Sequence, residues 1–231
     1  MSSKRTRAAR PLGAEIQQED AFLAGVMQTT DWARRNREKL ILGIIALALI
    51  ILAPIYLASN RQRSANLAAA ALERAQQTMQ LGNIEAAKGE LEGFLAQFGG
   101  TSHEAEARLL LGHLHLESGD ANAAITVLEP VGSSPNSQLG LQAAALLAAA
   151  FEEAGQTENA VATYLEIVER SDMTFQIREA LLDAARMMTA TGDITGAVGA
   201  YREALDLLED ADPRRGMIEM RISELSAANP S

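Results

Sequence analysis

The sequence contains no cysteine and few aromatic residues, and both absences narrow the possible functions. Without cysteine there can be no disulfide, no thiolate zinc site and no thiol nucleophile. Aromatic residues make up only 4% of the 231 residues, and alanine and leucine dominate the apolar positions. Because β-branched and aromatic residues are the usual strand formers, this composition predicts an all-α fold.

Positive charge is also scarce, although unevenly so along the chain. The net charge is −10. Residues 1–39 hold eight Lys and Arg against five Asp and Glu, whereas residues 59–231 hold twelve against twenty-five. An acidic domain repels a phosphate backbone, so the charge distribution argues against nucleic acid as a partner.

Residues 40–58 form an apolar run of nineteen residues without a charged side chain. At about 1.5 Å per residue, a helix of this length crosses the roughly 30 Å hydrocarbon core of a bilayer. The 39 residues before it are far more than a signal peptide places there, and Tyr56 stands where a cleavage site needs a small residue. The run therefore predicts an uncleaved transmembrane helix.

Basic residues flank this run asymmetrically, which predicts its orientation. Four of them lie between residues 34 and 39, immediately before the run, and only Arg61 and Arg63 follow it closely. By the positive-inside rule, residues 1–39 are expected in the cytoplasm and residues 59–231 outside it.

Four segments of the remaining chain align without gaps around a glycine. The glycines are 37, 36 and 37 residues apart, and an alanine follows each after five residues. The pairs are Gly82 with Ala87, Gly119 with Ala124, Gly155 with Ala160, and Gly192 with Ala197. Such a period indicates a repeat architecture.

Both positions have a physical explanation in a helix–turn–helix unit. A glycine after an apolar helix can adopt the left-handed conformation that ends the helix, and the polar residue behind it can cap the next one. The alanine falls in the first turns of the second helix, where only a small side chain lets the two helices close on each other. Chain breaks between units are expected at Gly99-Gly100, Pro130 with Pro135, Ser171-Asp172 and Asp212-Pro213.

The predicted repeats cover residues 65–99, 102–136, 138–172 and 176–212. A last helix at 214–228 is expected to cap the open end of the stack with its apolar residues. These residues are Met217, Ile218, Ile222 and Leu225.

This pattern resembles the tetratricopeptide repeat. The family's Leu-Gly pair in the first helix matches Leu111-Gly112, and its aromatic position matches Phe151. The bulky residue four positions after the alanine is Leu91, Leu128, Tyr164 or Tyr201. The resemblance implies an α-solenoid of about four repeats, in which each repeat packs on its neighbours.

The resemblance also implies a ligand-binding wall made by the first helix of each repeat. The wall positions are Leu72, Gln76 and Met79; Glu106, Leu109, His113 and Leu116; Gln142, Ala145, Ala149 and Glu152; and Glu179, Leu182, Arg186 and Thr189. The Lys and Asn residues with which some relatives clamp a terminal carboxylate are absent from these positions. The wall is expected to be apolar with acidic edges and to suit a hydrophobic or basic segment. The alternative is that several of its Leu and Met residues belong to the core.

No constellation for chemistry is recognisable in the sequence. His113 and His115 are two residues apart on a helix, so their side chains point about 200° apart and cannot share a metal ion. There is no phosphate-binding glycine loop, His-Glu helix motif or nucleophile elbow. The sequence predicts a protein that is not an enzyme and has no metal and no cofactor.

The combination of one anchor, a basic stub and an extracytoplasmic repeat domain resembles one bacterial family, the ancillary subunit of the Sec translocon. Residues 31–39, which lead into the apolar run, carry the local match. The resemblance implies an inner-membrane adaptor whose partners are the translocon, periplasmic chaperones or exported clients.

Two other functions remain open at this stage. The first is a structural scaffold for an envelope or division complex. The second is a regulator acting through a short amphipathic helix at residues 15–30, which contain Phe22, Leu23, Val26 and Met27. A homo-oligomer also remains possible.

Overall fold

The computed structural model describes residues 37–228, and this part of the chain is helical throughout, with no strand. The basic stub up to residue 36, including the amphipathic helix expected at 15–30, lies outside the described residues. The helices are α1 (Arg37–Gln80), α2 (Ile84–Phe98), α3 (Glu104–Glu117), α4 (Ala121–Gly132), α5 (Gln138–Glu153), α6 (Thr157–Arg170), α7 (Thr174–Thr191), α8 (Ile194–Asp206) and α9 (Arg214–Ala228). The predicted all-α solenoid is confirmed.

Helix α1 contains the apolar run and also the first helix of the first repeat. No glycine or proline lies between residues 55 and 81, so nothing in the sequence ends the helix before Leu81-Gly82. Among residues 37–228, α1 is the one helix long and apolar enough to cross a membrane, with a mean hydropathy of 2.9 over its most apolar window. None of that window is buried by the protein itself.

The packing divides the chain after Asn60, and the repeat unit begins at Arg61. Helices α1 to α8 form four antiparallel pairs within it. In each pair the first helix ends at a glycine with a left-handed backbone: φ is 76° at Gly82, 74° at Gly119, 71° at Gly155 and 83° at Gly192. Any side chain larger than hydrogen is strained in this region, which explains the glycine at each turn.

The residue after the turn glycine caps the second helix in three of the four pairs. The Asp120 carboxylate accepts a hydrogen bond from the Ala123 N–H. In the same way, the side chains of Asn83 and Asp193 each accept one from the N–H of the residue three positions later. In the third pair, Gln156 makes no such side-chain cap. A capping side chain satisfies a helix N–H that otherwise lacks a partner.

The four alanines five residues after the turn glycines are fully buried. Ala87, Ala124, Ala160 and Ala197 each have 0% exposure. The bulky residue four positions further on is also buried in every repeat, from 0% exposure at Leu91 and Leu128 to 9% at Tyr201. The second helix of each pair therefore buries its alanine and its bulky residue in the core of the stack.

The expectations for the chain breaks and the cap need two corrections. Pro130 does not interrupt the chain but lies inside α4, which continues to Gly132; the break follows at Pro135. The proline lacks an N–H and costs the helix one i→i−4 hydrogen bond, and α4 ends two residues after it. In α9, Ile218 and Leu225 are buried against α8, whereas Met217 is 63% exposed and is not a capping contact.

Two helical glycines, Gly112 in the second repeat and Gly89 in the first, should respond in opposite ways to substitution by alanine. A methyl group at Gly112 would overlap Leu128 Cγ and lie 2.6 Å from its Cδ2, whereas one at Gly89 would meet no atom within 4 Å. We expect Gly112→Ala to destabilise the repeat unit by about 1–3 kcal/mol through overpacking. Gly89→Ala should stabilise it by about 0.5–1 kcal/mol through helix propensity. Urea unfolding of the full chain in detergent, followed by circular dichroism, measures both, and equal shifts would contradict the packing.

Candidate protein-binding groove

The predicted wall positions lie on α1, α3, α5 and α7, and one of them is not available to a ligand. Leu72 is 3% exposed and belongs to the core of the first repeat, together with Leu91 and Phe94. It is removed from the wall. The other predicted positions keep part or most of their surface, with His113, Gln142, Ala145, Glu179 and Arg186 exposed.

Polar side chains of the wall join consecutive repeats. Between α1 and α3, Gln76 Nε2 donates to Glu106 Oε1 over 3.1 Å. Between α5 and α7, Arg186 donates two hydrogen bonds to the Glu152 carboxylate, of 2.5 and 2.8 Å. These pairs are 30 and 34 residues apart in sequence, which is less than the repeat period, so each joins a wall residue to an earlier position on the first helix of the next repeat.

Arg186 is the arginine of the wall, and carboxylates of this chain hold it. Besides Glu152, it contacts Asp183 Oδ1 at 3.1 Å. The hydrogen bonds from Arg186 hold the pKa of Glu152 below its ordinary value and, reciprocally, raise the pKa of the guanidinium. Arg186 is therefore engaged within the stack and is not free to clamp a ligand carboxylate.

Tyr164 of α6 lies close to this cluster. Burial is the main cause that raises the pKa of Tyr164 to about 12, and the charges of Asp183 and Glu152 add to it. The hydroxyl is therefore protonated at neutral pH.

A cavity of about 370 Å³ lies where α3 packs directly against α5. Its lining residues are Leu109, Leu110, His113, Gln142, Ala145 and Leu146. Four of these are predicted wall positions, and most of the lining is carbon. The second and third repeats thus present an apolar surface to a ligand.

A second cavity, of about 250 Å³, lies between α5, α6 and α7. Gln142 and Ala145 line both cavities, so the two form neighbouring parts of one groove. The second cavity has an apolar floor and two carboxylates at its α7 side. The floor includes Leu141, Tyr164, Ile167, Phe175 and Ala180, and the carboxylates are Glu179 and Asp183.

The histidines differ in their surroundings. The side chain of His113 is 50% exposed, and its Nε2 lies 3.7 Å from the Glu117 carboxylate. The Nδ1 of His115 is buried without a hydrogen-bond partner among residues 37–228. His115 thus packs at the position where the family places an aromatic residue, and His113 faces the groove.

Some groove residues escape the sequence pattern. Leu110, Leu146, Phe175 and Asp183 line cavities but are not among the predicted wall positions. For the ion pair of Glu152 and Arg186 a signal was available, because opposite charges lie on wall positions of adjacent repeats.

Comparison with known proteins assigns the chain to a family. The model of the tetratricopeptide repeat-like domain matches residues 30–227, so the chain belongs to this family. The match begins before the apolar run and ends in the capping helix. No curated protein matches the sequence.

Solved structures share the fold at low sequence identity. The repeats assigned to a kinesin light chain of Podosopora anserina are 21% identical, cover 72% of this chain and 88% of their own, and give a TM-score of 0.55. A tetratricopeptide repeat protein from Parabacteroides merdae is 14% identical, covers 70% of this chain and 60% of its own, and gives a TM-score of 0.60. MamA from Desulfovibrio magneticus is 17% identical, covers 73% of this chain and 98% of its own, and gives a TM-score of 0.51. These likenesses show the fold.

The ion pair between Glu152 and Arg186 predicts a pH-dependent link between the third and fourth repeats. We expect a double-mutant cycle with Glu152→Gln and Arg186→Met to give a coupling of about 0.5–1 kcal/mol at pH 7, reduced by solvent because Arg186 is 48% exposed. Because the pKa of Glu152 is lowered on folding, this coupling is complete above the ordinary pKa of glutamate, ~4.3, and is lost as the pH falls through the lower folded value.

The matched control is the pair of Glu166 and Arg170, which lies within α6 and does not join repeats. Its coupling should not exceed ~0.5 kcal/mol. A coupling for Glu152 and Arg186 that is no larger than this control, or that persists below the folded pKa, would contradict the link.

Proposed function

We propose that this chain is a membrane-anchored adaptor that binds other proteins through the groove on α3, α5 and α7. The observation that carries the proposal is the apolar groove with acidic edges, built from neighbouring cavities on consecutive repeats. Exported chains expose apolar segments before they fold, and such segments need a binding surface that keeps them from aggregating. A groove of this kind suits a hydrophobic or basic segment of such a chain.

The apolar part of α1 supports the anchor. Large apolar side chains of this part, such as Ile41, Ile50 and Leu52, are exposed, which suits contact with lipid rather than with water. The family match includes this run together with the repeats, so the two parts occur together in the family. With the basic residues before the run, the anchor would keep the stub in the cytoplasm and the repeats outside it.

The finer role that we propose is service at the Sec translocon of a bacterial inner membrane. The repeats would receive secreted or envelope proteins there and pass them to periplasmic chaperones. This part of the proposal is supported by the resemblance of residues 31–39 and of the anchor-plus-repeat architecture to the ancillary translocon subunit family. A fixed scaffold for an envelope complex is the competing outcome.

Crosslinking in living cells tests the proposal. A photoreactive residue at His113 or Ala145 should crosslink to translocon subunits, periplasmic chaperones or exported chains, because both positions are exposed in the groove. The matched controls are Gln97 of α2 and Thr126 of α4, which are exposed on second helices. Crosslinks no stronger than those of the controls would overturn the groove, and a single stoichiometric partner from another assembly would favour the scaffold.

A further inference from the structure

We propose that the cavity between α5, α6 and α7 binds one aromatic side chain of a partner segment in which the next residues are Lys or Arg. This inference rests on the proposed function and specifies the segment that the groove selects. The occupant is an internal stretch of a protein chain, not a chain terminus.

The cavity has the size and the lining for an aromatic ring. Its volume is about 250 Å³, and a cavity of about 150 Å³ in a protein core already binds benzene. Space remains at this place because α5 and α7 contribute small residues, Ala145 and Ala180, and the lining is apolar because Leu141, Ile167 and Phe175 surround them. Direct packing joins α3 to α5, whereas long side chains such as Arg186 bridge α5 and α7, so space remains between this second pair.

An aromatic side chain of this protein is exposed at the cavity. Phe175, in the first turn of α7, lines it with 54% of its surface exposed. Met173, two residues earlier, is 42% exposed and lines an adjoining cavity that shares Leu141 with this one. Large exposed apolar side chains beside an apolar cavity indicate a contact surface for a partner. The ring of Phe175 can pack edge-to-face or offset against a second ring that enters the cavity.

The carboxylates at the cavity select the residues that follow the aromatic residue in the partner segment. Glu179 and Asp183 are one helical turn apart on α7 and line the same cavity. Arg178 and Arg214 both contact Glu179 at Oε1, and Arg186 contacts Asp183 at Oδ1. Within residues 37–228, the second oxygen of each carboxylate accepts no hydrogen bond from protein.

These two oxygens set the preference of the site. A Lys or Arg next to the aromatic residue could donate to either oxygen, and such charge-assisted bonds are stronger than neutral ones. A carboxylate at that place, whether from Asp, Glu or a chain terminus, would be repelled. The net negative charge of residues 59–231 acts in the same direction.

Three labelled peptides with identical Gly-Ser flanks test the site on the full chain in detergent micelles. Their central residues are Phe-Arg-Arg, Phe-Glu-Glu and Ala-Arg-Arg, and fluorescence anisotropy gives the dissociation constants. We expect Phe-Arg-Arg to bind at least ~10-fold more tightly than either of the others, since each of these lacks one of the two contributions. Equal binding of all three, or no binding of Phe-Arg-Arg, overturns the inference.

Variants of the protein show whether the peptide occupies this cavity. Ala145→Leu fills the cavity and Phe175→Ser removes the exposed ring, and each should weaken Phe-Arg-Arg binding at least ~5-fold. Glu179→Gln combined with Asp183→Asn should reduce the preference for Phe-Arg-Arg over Phe-Glu-Glu. The matched controls are Ala96→Leu on α2 and Met217→Ser on α9, which are exposed and lie outside the cavity.

The outcomes separate this inference from the proposed function. Thermal unfolding of the Ala145 and Phe175 variants should match that of the parent, because both side chains are exposed. Glu179→Gln combined with Asp183→Asn also removes ion pairs with Arg178, Arg186 and Arg214, so its unfolding temperature should be slightly lower. If Phe-Arg-Arg binds and both cavity variants bind it as the parent does, the cavity is not the site, whereas crosslinks from His113 would still support the groove. If the crosslinks from His113 and Ala145 are also no stronger than those of the controls, both the inference and the proposed adaptor function are wrong.

Discussion

The structure depends on the close approach of two helices at one buried alanine in each repeat. Ala87, Ala124, Ala160 and Ala197 all have no exposed surface, and each lies where the second helix meets the first. Because dispersion attraction falls steeply with distance, helices must be this close to contribute packing energy without large side chains. In the second repeat the first helix contributes a small residue as well, Gly112, and Leu128 occupies the space that a methyl group there would need.

The groove also results from the small size of the side chains between the helices. Where small residues of consecutive first helices face each other and the helices do not close up, space remains beside them, as at Ala145 and Ala180. Polar side chains then join the repeats across this space, as Arg186 joins Glu152. Arginine in this wall therefore stabilises the stack, and the apolar cavities are left as the surface that a partner can use.

The sequence was sufficient for the register of the repeats, because the residues at the turns leave little choice. A turn glycine and an alanine five residues later recur at a nearly constant spacing, which can be read from the sequence. In the structure these glycines have φ near 75° and these alanines are buried. The wall was harder to predict, since one helical pattern was applied to all four repeats. Leu72 is buried because α1 packs it onto α2, and Phe175 precedes the predicted start of its helix, whereas α7 begins at Thr174. A cavity made by three helices has no signature in any single stretch of sequence.

The alanine contacts also determine how such a chain can change over evolutionary time. In a core of large residues, the common damage is truncation, which leaves a void. Here alanine is the commonest residue of the core, so little volume remains to be lost at those positions and most substitutions add atoms. Drift at the helix crossings is thus restricted mainly toward larger residues, which overlap the facing helix, whereas glycine, the one smaller residue, costs about 1 kcal/mol of helix propensity. Surfaces that bind partners, in contrast, can vary without disturbing the stack.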